Sequence, residues 1–149
     1  MDISYILTRK IQHLSHRIVL RRNEDLKSMG LTAEQADTLL FFHAHSGSSA
    51  SDLRCSLGVT HQAARALVQR MADKGLLCVT PSPRDARYKL IALTAEGEEL
   101  YETMQRNCTN FGDRLLEHIP ADDREKLLAM ICRRSTTWKS EVKPHETFL

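Results

Sequence analysis

Gly58-Val59-Thr60-His61-Gln62-Ala63-Ala64-Arg65-Ala66-Leu67-Val68-Gln69-Arg70-Met71 is the stretch on which the fold turns. The Thr60 side chain can accept a free N–H at a helix start, and Ala64, Leu67, Val68 and Met71 then recur at three- and four-residue spacing as one apolar stripe. His61, Gln62, Arg65 and Gln69 take the other face. Their donors and acceptors suit base edges and phosphates, and a single helix is the element that fits a DNA major groove. A solvated surface helix carries the same pattern more often, so the neighbouring segments have to decide.

Upstream, Ser49-Ala50-Ser51-Asp52-Leu53-Arg54-Cys55-Ser56-Leu57 reads as a short helix. Ser49 and Asp52 stand at capping-box separation, Leu53 and Leu57 face inward, Gly58 ends the helix and Val59 plugs the corner. Two short helices joined by a tight glycine-containing turn form a helix-turn-helix, whose second helix enters the groove. Downstream of Gly75, residues 76–79 and 88–93 are short apolar or alternating runs around Pro81-Ser82-Pro83-Arg84-Asp85-Ala86-Arg87, the pattern of a two-stranded hairpin. From 59 to 89 there are six Lys or Arg (65, 70, 74, 84, 87, 89) against two Asp (73, 85), a local +4 in a chain whose total is +2. The basic charge is therefore concentrated on the helix-turn-helix and its hairpin.

Long helices flank this lobe. Residues 3–29 repeat Ile3, Leu7, Ile11, Leu14 and Ile18 at helical spacing, with Arg9, Lys10, Arg17, Arg21 and Arg22 as a basic surface. Thr32 and Gln35 form a second capping box, opening a helix with Ala36, Leu39, Leu40 and Phe42 inside. Thr94 starts a helix through about residue 118, with Leu100, Met104, Cys108, Phe111 and Leu115 on one stripe, and Pro120 stops it. A last helix, residues 121–142, places Leu127, Leu128, Ile131 and Trp138 inward. The expected organisation is a single mainly α domain: a winged lobe at 32–93 and dimerisation helices at 1–30 and 94–142. The first helix is longer than a small core needs, so burial against a second copy is the simpler account, giving a homodimer. Residues 95–126 carry nine Asp or Glu against four Lys or Arg, a local −5, which would turn that part away from DNA.

Composition narrows the classes. A chain of 149 residues with 42% hydrophobic residues makes one ordinary domain. No run approaches the roughly 18 apolar residues of a membrane span and Met1-Asp2-Ile3-Ser4 is no basic-then-apolar leader, so a cytoplasmic protein without membrane attachment is expected. The four cysteines at 55, 78, 108 and 132 form no Cys-x-x-Cys pair, which leaves no metal or cofactor indicated and makes them core fillers. Cys55 and Cys78 flank the recognition helix and are the candidates for redox control. His13, His16, His43 and His45 lack the further ligands of a metal site, and no nucleophile, base and acid series can be placed, so no enzyme is expected.

The order of these pieces resembles the winged helix-turn-helix repressors of the MarR family (multiple antibiotic resistance regulators). Gly30-Leu31-Thr32 with Gln35, Leu53 with Leu57-Gly58-Val59-Thr60, Lys74-Gly75-Leu76-Leu77, Asp85-Ala86-Arg87 and Leu93-Thr94-Ala95-Glu96-Gly97 carry the resemblance across the whole chain. It implies a homodimeric DNA-binding regulator, usually a repressor released by a small molecule or by oxidation. On that reading His61, Gln62 and Arg65 face base edges. Thr60, Gln69, Arg70, Arg84 and Arg87 face the DNA backbone, and Asp85 holds the wing by pairing with Arg87. Dimer symmetry makes the double-stranded operator a palindrome with half-sites about one turn apart. The resemblance also implies an effector, small and aromatic or anionic, between the dimer helices and the winged lobe. The nearest residues are His13, His16, Arg17, Phe42, His43 and Met104. A cysteine-controlled regulator and a winged protein-interaction module are the alternatives.

Overall fold

The computed structural model describes residues 2–138, and the side chains of 2–133. Eight elements follow in order: α1 (Ile3–Ser28), α2 (Ala33–Ala44), α3 (Ala50–Leu57), α4 (His61–Asp73), β1 (Leu77–Pro81), β2 (Lys89–Leu93), α5 (Ala95–Leu115) and α6 (Ala121–Trp138). The fold is a mainly α winged helix-turn-helix, and the chain divides into two compact units at residues 108 and 109.

In the first unit, helix starts are set by side chains three residues from their partners. The Thr32 hydroxyl accepts the Gln35 N–H at 3.2 Å while Gln35 Oε1 accepts the Thr32 N–H at 3.2 Å. The Ser49 and Asp52 pair repeats this device at α3, and Thr60 accepts the Ala63 N–H at α4. Gly58 ends α3 at φ +66°, a left-handed conformation that a residue without Cβ adopts at little cost. Lys74 Nζ donates to Gly30 O at 3.1 Å and to Gln35 Oε1 at 3.2 Å, joining the end of α4 to the entry of α2 and satisfying a buried amide. Arg22 bonds Asp37 at 2.6 Å and so ties α1 to α2.

Phe42, Leu39, Leu53, Met71 and Ile91 are fully buried at the centre, with Leu26, Leu31, Leu67, Val68 and Leu77 around them. One expectation fails here: Leu40 is 44% exposed, while Thr38 is fully buried. The inward face of α2 is centred on Gln35, Thr38, Leu39 and Phe42, and one residue advances a helix by a hundred degrees, so Leu40 falls off that face. Thr38 is tolerated inside because its hydroxyl donates to Glu34 O at 2.8 Å. The cysteines are a second correction: all four are exposed. Cys78 lies on the outer face of β1 and Cys108 on the outer side of α5, so neither fills the core.

The wing is an antiparallel pair in the register Leu77↔Leu93, Val79↔Ile91 and Pro81↔Lys89. Ser48 adds a bridge on the far side of β2: the Ile91 N–H donates to Ser48 O and the Gly47 N–H to Ile91 O, both at 2.9 Å. At the wing's exit the Thr94 hydroxyl donates to Gly75 O at 2.5 Å and accepts the Gly97 N–H at 3.1 Å. A Cβ at Gly97 would collide with the Leu76 carbonyl, so only glycine allows α5 to start this close to the root of β1.

In the second unit α5 stops at Leu115, short of residue 118, and a turn carries the chain to Pro120. Arg124 donates to the carbonyls of Leu116 and Ile119, each at 2.7 Å, and so closes that turn. The inward assignment of α6 is corrected for its described side chains. Leu127, Leu128 and Ile131 are 38%, 62% and 58% exposed, so these side chains face solvent in the single chain. Trp138's side chain and residues 139–142 lie outside the described side chains and residues respectively.

Replacing Gly97 by Ala should lower stability by about 1–3 kcal/mol, the usual cost of overpacking. Urea denaturation followed by circular dichroism measures it, and an unchanged midpoint would show that α5 starts elsewhere.

Candidate nucleic-acid interface

The apolar stripe Ala64, Leu67, Val68 and Met71 buries one side of α4, so the helical period turns His61, Gln62, Arg65 and Gln69 to solvent. On one flank α4 looks across a groove of about 910 Å³ to β2. His61, Arg65 and Gln69, at four-residue intervals, make the helix wall, and Arg87, Tyr88 and Lys89 the wing wall. Ser49 and Ser51 at the start of α3 close one end, and Val68, Ala72, Val79 and Ile91 lie at the base. Among the described residues no carboxylate lines it. On the opposite flank a smaller cleft of about 200 Å³ sets Arg70 among Glu34, Asp37 and apolar groups.

The residues singled out in the sequence separate into groups. His61, Arg65, Gln69 and Arg87 share the groove, Gln62 is exposed beside it, and Arg70 points to the acidic flank. The Gln69 amide donates to Asp73 at 2.8 Å, and the Thr60 hydroxyl is occupied in capping α4, which limits what either can offer a ligand. Arg84 is exposed at the wing tip. Asp85 Oδ1 accepts the Arg87 backbone N–H at 3.0 Å, whereas its contact with the Arg87 side chain is 4.0 Å. An exposed pair at that separation contributes less than about 1 kcal/mol, so Asp85 shapes the turn chiefly through the backbone.

The effector candidates do not converge. His13, His16 and Arg17 are exposed on α1, and no hydrogen bond, ion pair or ring contact joins them to the others among the described residues. Phe42 is fully buried, which removes it from any open site. His43 Nδ1 lies 2.8 Å from Glu98 Oε2 and its ring stacks on Tyr101 at 3.7 Å, linking α2 to α5, while Met104 packs against the core nearby in sequence. Cys78 donates to Ala92 O at 3.5 Å and Cys55 accepts from Arg54 at 3.6 Å, so the two thiols have separate surroundings. No cluster of metal-ligating side chains occurs among the described residues.

Sequence reading missed Lys89, Tyr88, Ser49 and Ser51 as groove residues. Alternation along β2 held the signal for Lys89: it shares a face with Ile91, and Ile91 is buried under α4's side of the wing.

Residues 29–87 match the model of the MarR family. Over these residues the chain is similar to the MarR family. The matched segment runs from α2 through β1 into the turn of the wing and stops before β2. Similar proteins include the HTH-type transcriptional repressor NicR of Pseudomonas putida, 24% identical over 131 residues, 85% of this chain and 83% of NicR. The uncharacterized HTH-type transcriptional regulator YdgJ of Bacillus subtilis is 23% identical over 104 residues, 70% of this chain, which spans 63% of YdgJ's length. In fold, the chain is similar to a mutant of S. aureus MepR bound to an oligodeoxyribonucleotide. The TM-score is 0.69 at 22% identity, over 93% of this chain and 99% of that one. No helix among the described residues is long and apolar enough to cross a membrane.

The end of the groove formed by α3 has a pH signature. The Ser49 backbone N–H and then its hydroxyl, both at 2.8 Å, hold the Asp52 carboxyl below its ordinary value. A carboxyl lowered by folding stabilises the protein above its unfolded value of about 3.9, and this is lost as pH falls through the lower folded value. Asp52→Asn should therefore be less stable than wild type near neutral pH, with the gap closing below about pH 4. Denaturant titrations across that range test it; a gap independent of pH would remove the ionised carboxylate from the cap.

Proposed function

We propose that this chain is a homodimeric, sequence-specific DNA-binding repressor in which α4 enters the major groove and the wing lies on the adjoining backbone. The observation that carries the reading is the polar face of α4, with His61, Gln62 and Arg65 exposed, next to a wing whose shared groove holds cations and no carboxylate. His61, Gln62 and Arg65 read base edges; Arg84 and Arg87 meet the backbone, with Thr60, Gln69 and Arg70 at the margins. NicR's name as a repressor and the DNA bound to the MepR mutant support extending both properties to this chain.

Dimerisation is supported by apolar surface that a single copy leaves open: Ile3, Leu7, Ile11 and Leu14 on α1, and Leu128 and Ile131 on α6, are exposed. Such area on long helices is what a second copy would cover. A palindromic operator with half-sites about one turn apart follows from the two-fold axis. Release by a small aromatic or anionic effector is part of the reading. Its support is the His43 link from α2 to α5, with Met104 on the same long helix and His13, His16 and Arg17 as cationic or polar neighbours to be brought up in the dimer.

Selection from a random duplex library should yield a palindrome. On that operator Arg65→Ala should cost on the order of 1–3 kcal/mol and much less on unrelated DNA, read by fluorescence anisotropy. Equal losses on both would make Arg65 a phosphate contact. Sedimentation at micromolar concentration should give about 34 kDa, twice the 17.0 kDa of one chain. A monomer that binds operator tightly would defeat the dimer.

A further inference from the structure

The first half of α1 carries two different exposed faces. Ile3, Leu7, Ile11 and Leu14 make the apolar one, and Arg9, Lys10, His13, His16 and Arg17 cluster about a third of the circumference away, since each residue advances a helix by about a hundred degrees. No acid precedes Glu24 within α1 to neutralise them. Arg21 and Arg22, further along, hold Asp25 and Asp37, whereas Arg9, Lys10 and Arg17 make no ion pair among the described residues. The reverse arrangement occurs where α5 gives way to α6. Asp113 in the last turn of α5, Glu117 just beyond it, and Asp122 and Glu125 at the start of α6 are exposed, and their carboxylates have no hydrogen bond or ion pair among the described residues. Most cations of that corner are committed: Arg124 donates to the carbonyls of Leu116 and Ile119, and Lys126 holds Asp123, which leaves Arg114. The dipole of α6 favours Asp122 at its start, but Asp113 and Glu117 stand at the end of α5, where a carboxylate is disfavoured and a cation brought from outside would offset the cost. Leu128 and Ile131 continue from the corner as exposed apolar surface, as Ile3 and Leu7 do beside the cationic face. Each charged patch borders an apolar strip, and the two patches have opposite sign.

We propose that the cationic face of α1 docks on the acidic α5–α6 corner of a second copy, so that charge decides which chain this one pairs with. The inference rests on the homodimer proposed above and goes beyond it. Apolar stripes give two copies a reason to associate, but any chain with such stripes could use them. Complementary charge tells partners apart, because like charges brought together repel while the matched pair is steered into register. A two-fold axis doubles the effect, since each α1 meets the other copy's corner.

The test uses the full chain in two reversed forms, Arg9→Glu with Arg17→Glu, and Asp113→Lys with Glu117→Lys. Each alone should weaken self-association by about tenfold or more at low salt, read by analytical ultracentrifugation. Mixed, they should form heterodimers well beyond the statistical proportions, counted by native mass spectrometry, because only the mixed pair restores opposite charge at both contacts. Wild-type self-association should weaken as salt is raised to about 0.5 M, where the Debye length falls to about 4 Å. Reversed forms that self-associate as tightly as wild type, or that mix in statistical proportions, would overturn the charged contact and leave the dimer in place. It is also overturned if Arg9→Glu with Arg17→Glu lowers affinity for duplex DNA and leaves self-association intact, since the face would then belong to a nucleic acid. Should a reversed form lose its helical circular dichroism, Arg9→Gln with Arg17→Gln takes its place. Self-association of that form should depend less on salt than wild type's, and an unchanged dependence overturns the contact. A wild-type chain that stays monomeric at micromolar concentration would instead remove the homodimer reading, and this contact with it.

Discussion

The wing and the long helix after it depend on one crowded crossing, where Thr94 bonds back to Gly75 and Gly97 lies against the Leu76 carbonyl. The crossing brings together the end of α4, the root of β1 and the start of α5. A side chain at Gly97 would push α5 away, and with it the Glu98 and Tyr101 contacts to His43. The Thr94 hydroxyl serves both as helix cap and as brace, so the direction of the wing and of α5 are determined by the same few atoms. The hydrogen bonds here are short range and the collision is steric, which makes the geometry insensitive to salt, unlike the cationic groove it supports.

Charge in this molecule is arranged by pairing as much as by count. Cations on α1 and α2's border are partly neutralised, as Arg21 with Asp25 and Arg22 with Asp37, and Lys74 is used in a buried joint. Among the described residues, Arg65 and Lys89 are left without such partners. The net charge of +2 therefore says little about what the surface can bind, whereas the distribution of unpaired cations says a good deal. The apolar residues follow similar logic. Those of α2, α3 and α4 are spent on one core, and those of α1 and α6 remain on the outside.

The parts of this fold that were legible in sequence are those governed by contacts a few residues long. Thr32 with Gln35, Ser49 with Asp52, Thr60, and the stop at Gly58 are all local devices, and each forms as its spacing dictates. Errors arise where phase or long-range packing decides. Leu40 is as apolar as Leu39, and only the position of the core relative to α2 turns it outward. The thiols were read as fillers from residue type, but the elements carrying them face solvent at those positions. Most of the groove's helix wall was visible in the sequence. The wing wall was visible only in part, since Lys89's direction depends on which face of β2 covers the core, and Arg70's acidic flank is built by α2 from far along the chain.

The bridge from Ser48 to Ile91 has a mechanical consequence for the hairpin. Both backbone groups of Ile91 bond the segment leading into α3, so the base of the wing is anchored on two sides, by β1 and by residues 47–48. Beyond Pro81 and Lys89 only the turn bonds of Ser82, Asp85 and Tyr88 remain. The hairpin is thus an outrigger with a clamped root and a free end. Residues inserted or deleted between 82 and 88 would alter how far it extends without disturbing the joint. On this plan the reach of the wing beside α4 can change by loop variation alone, while the core and the helix-turn-helix stay as they are.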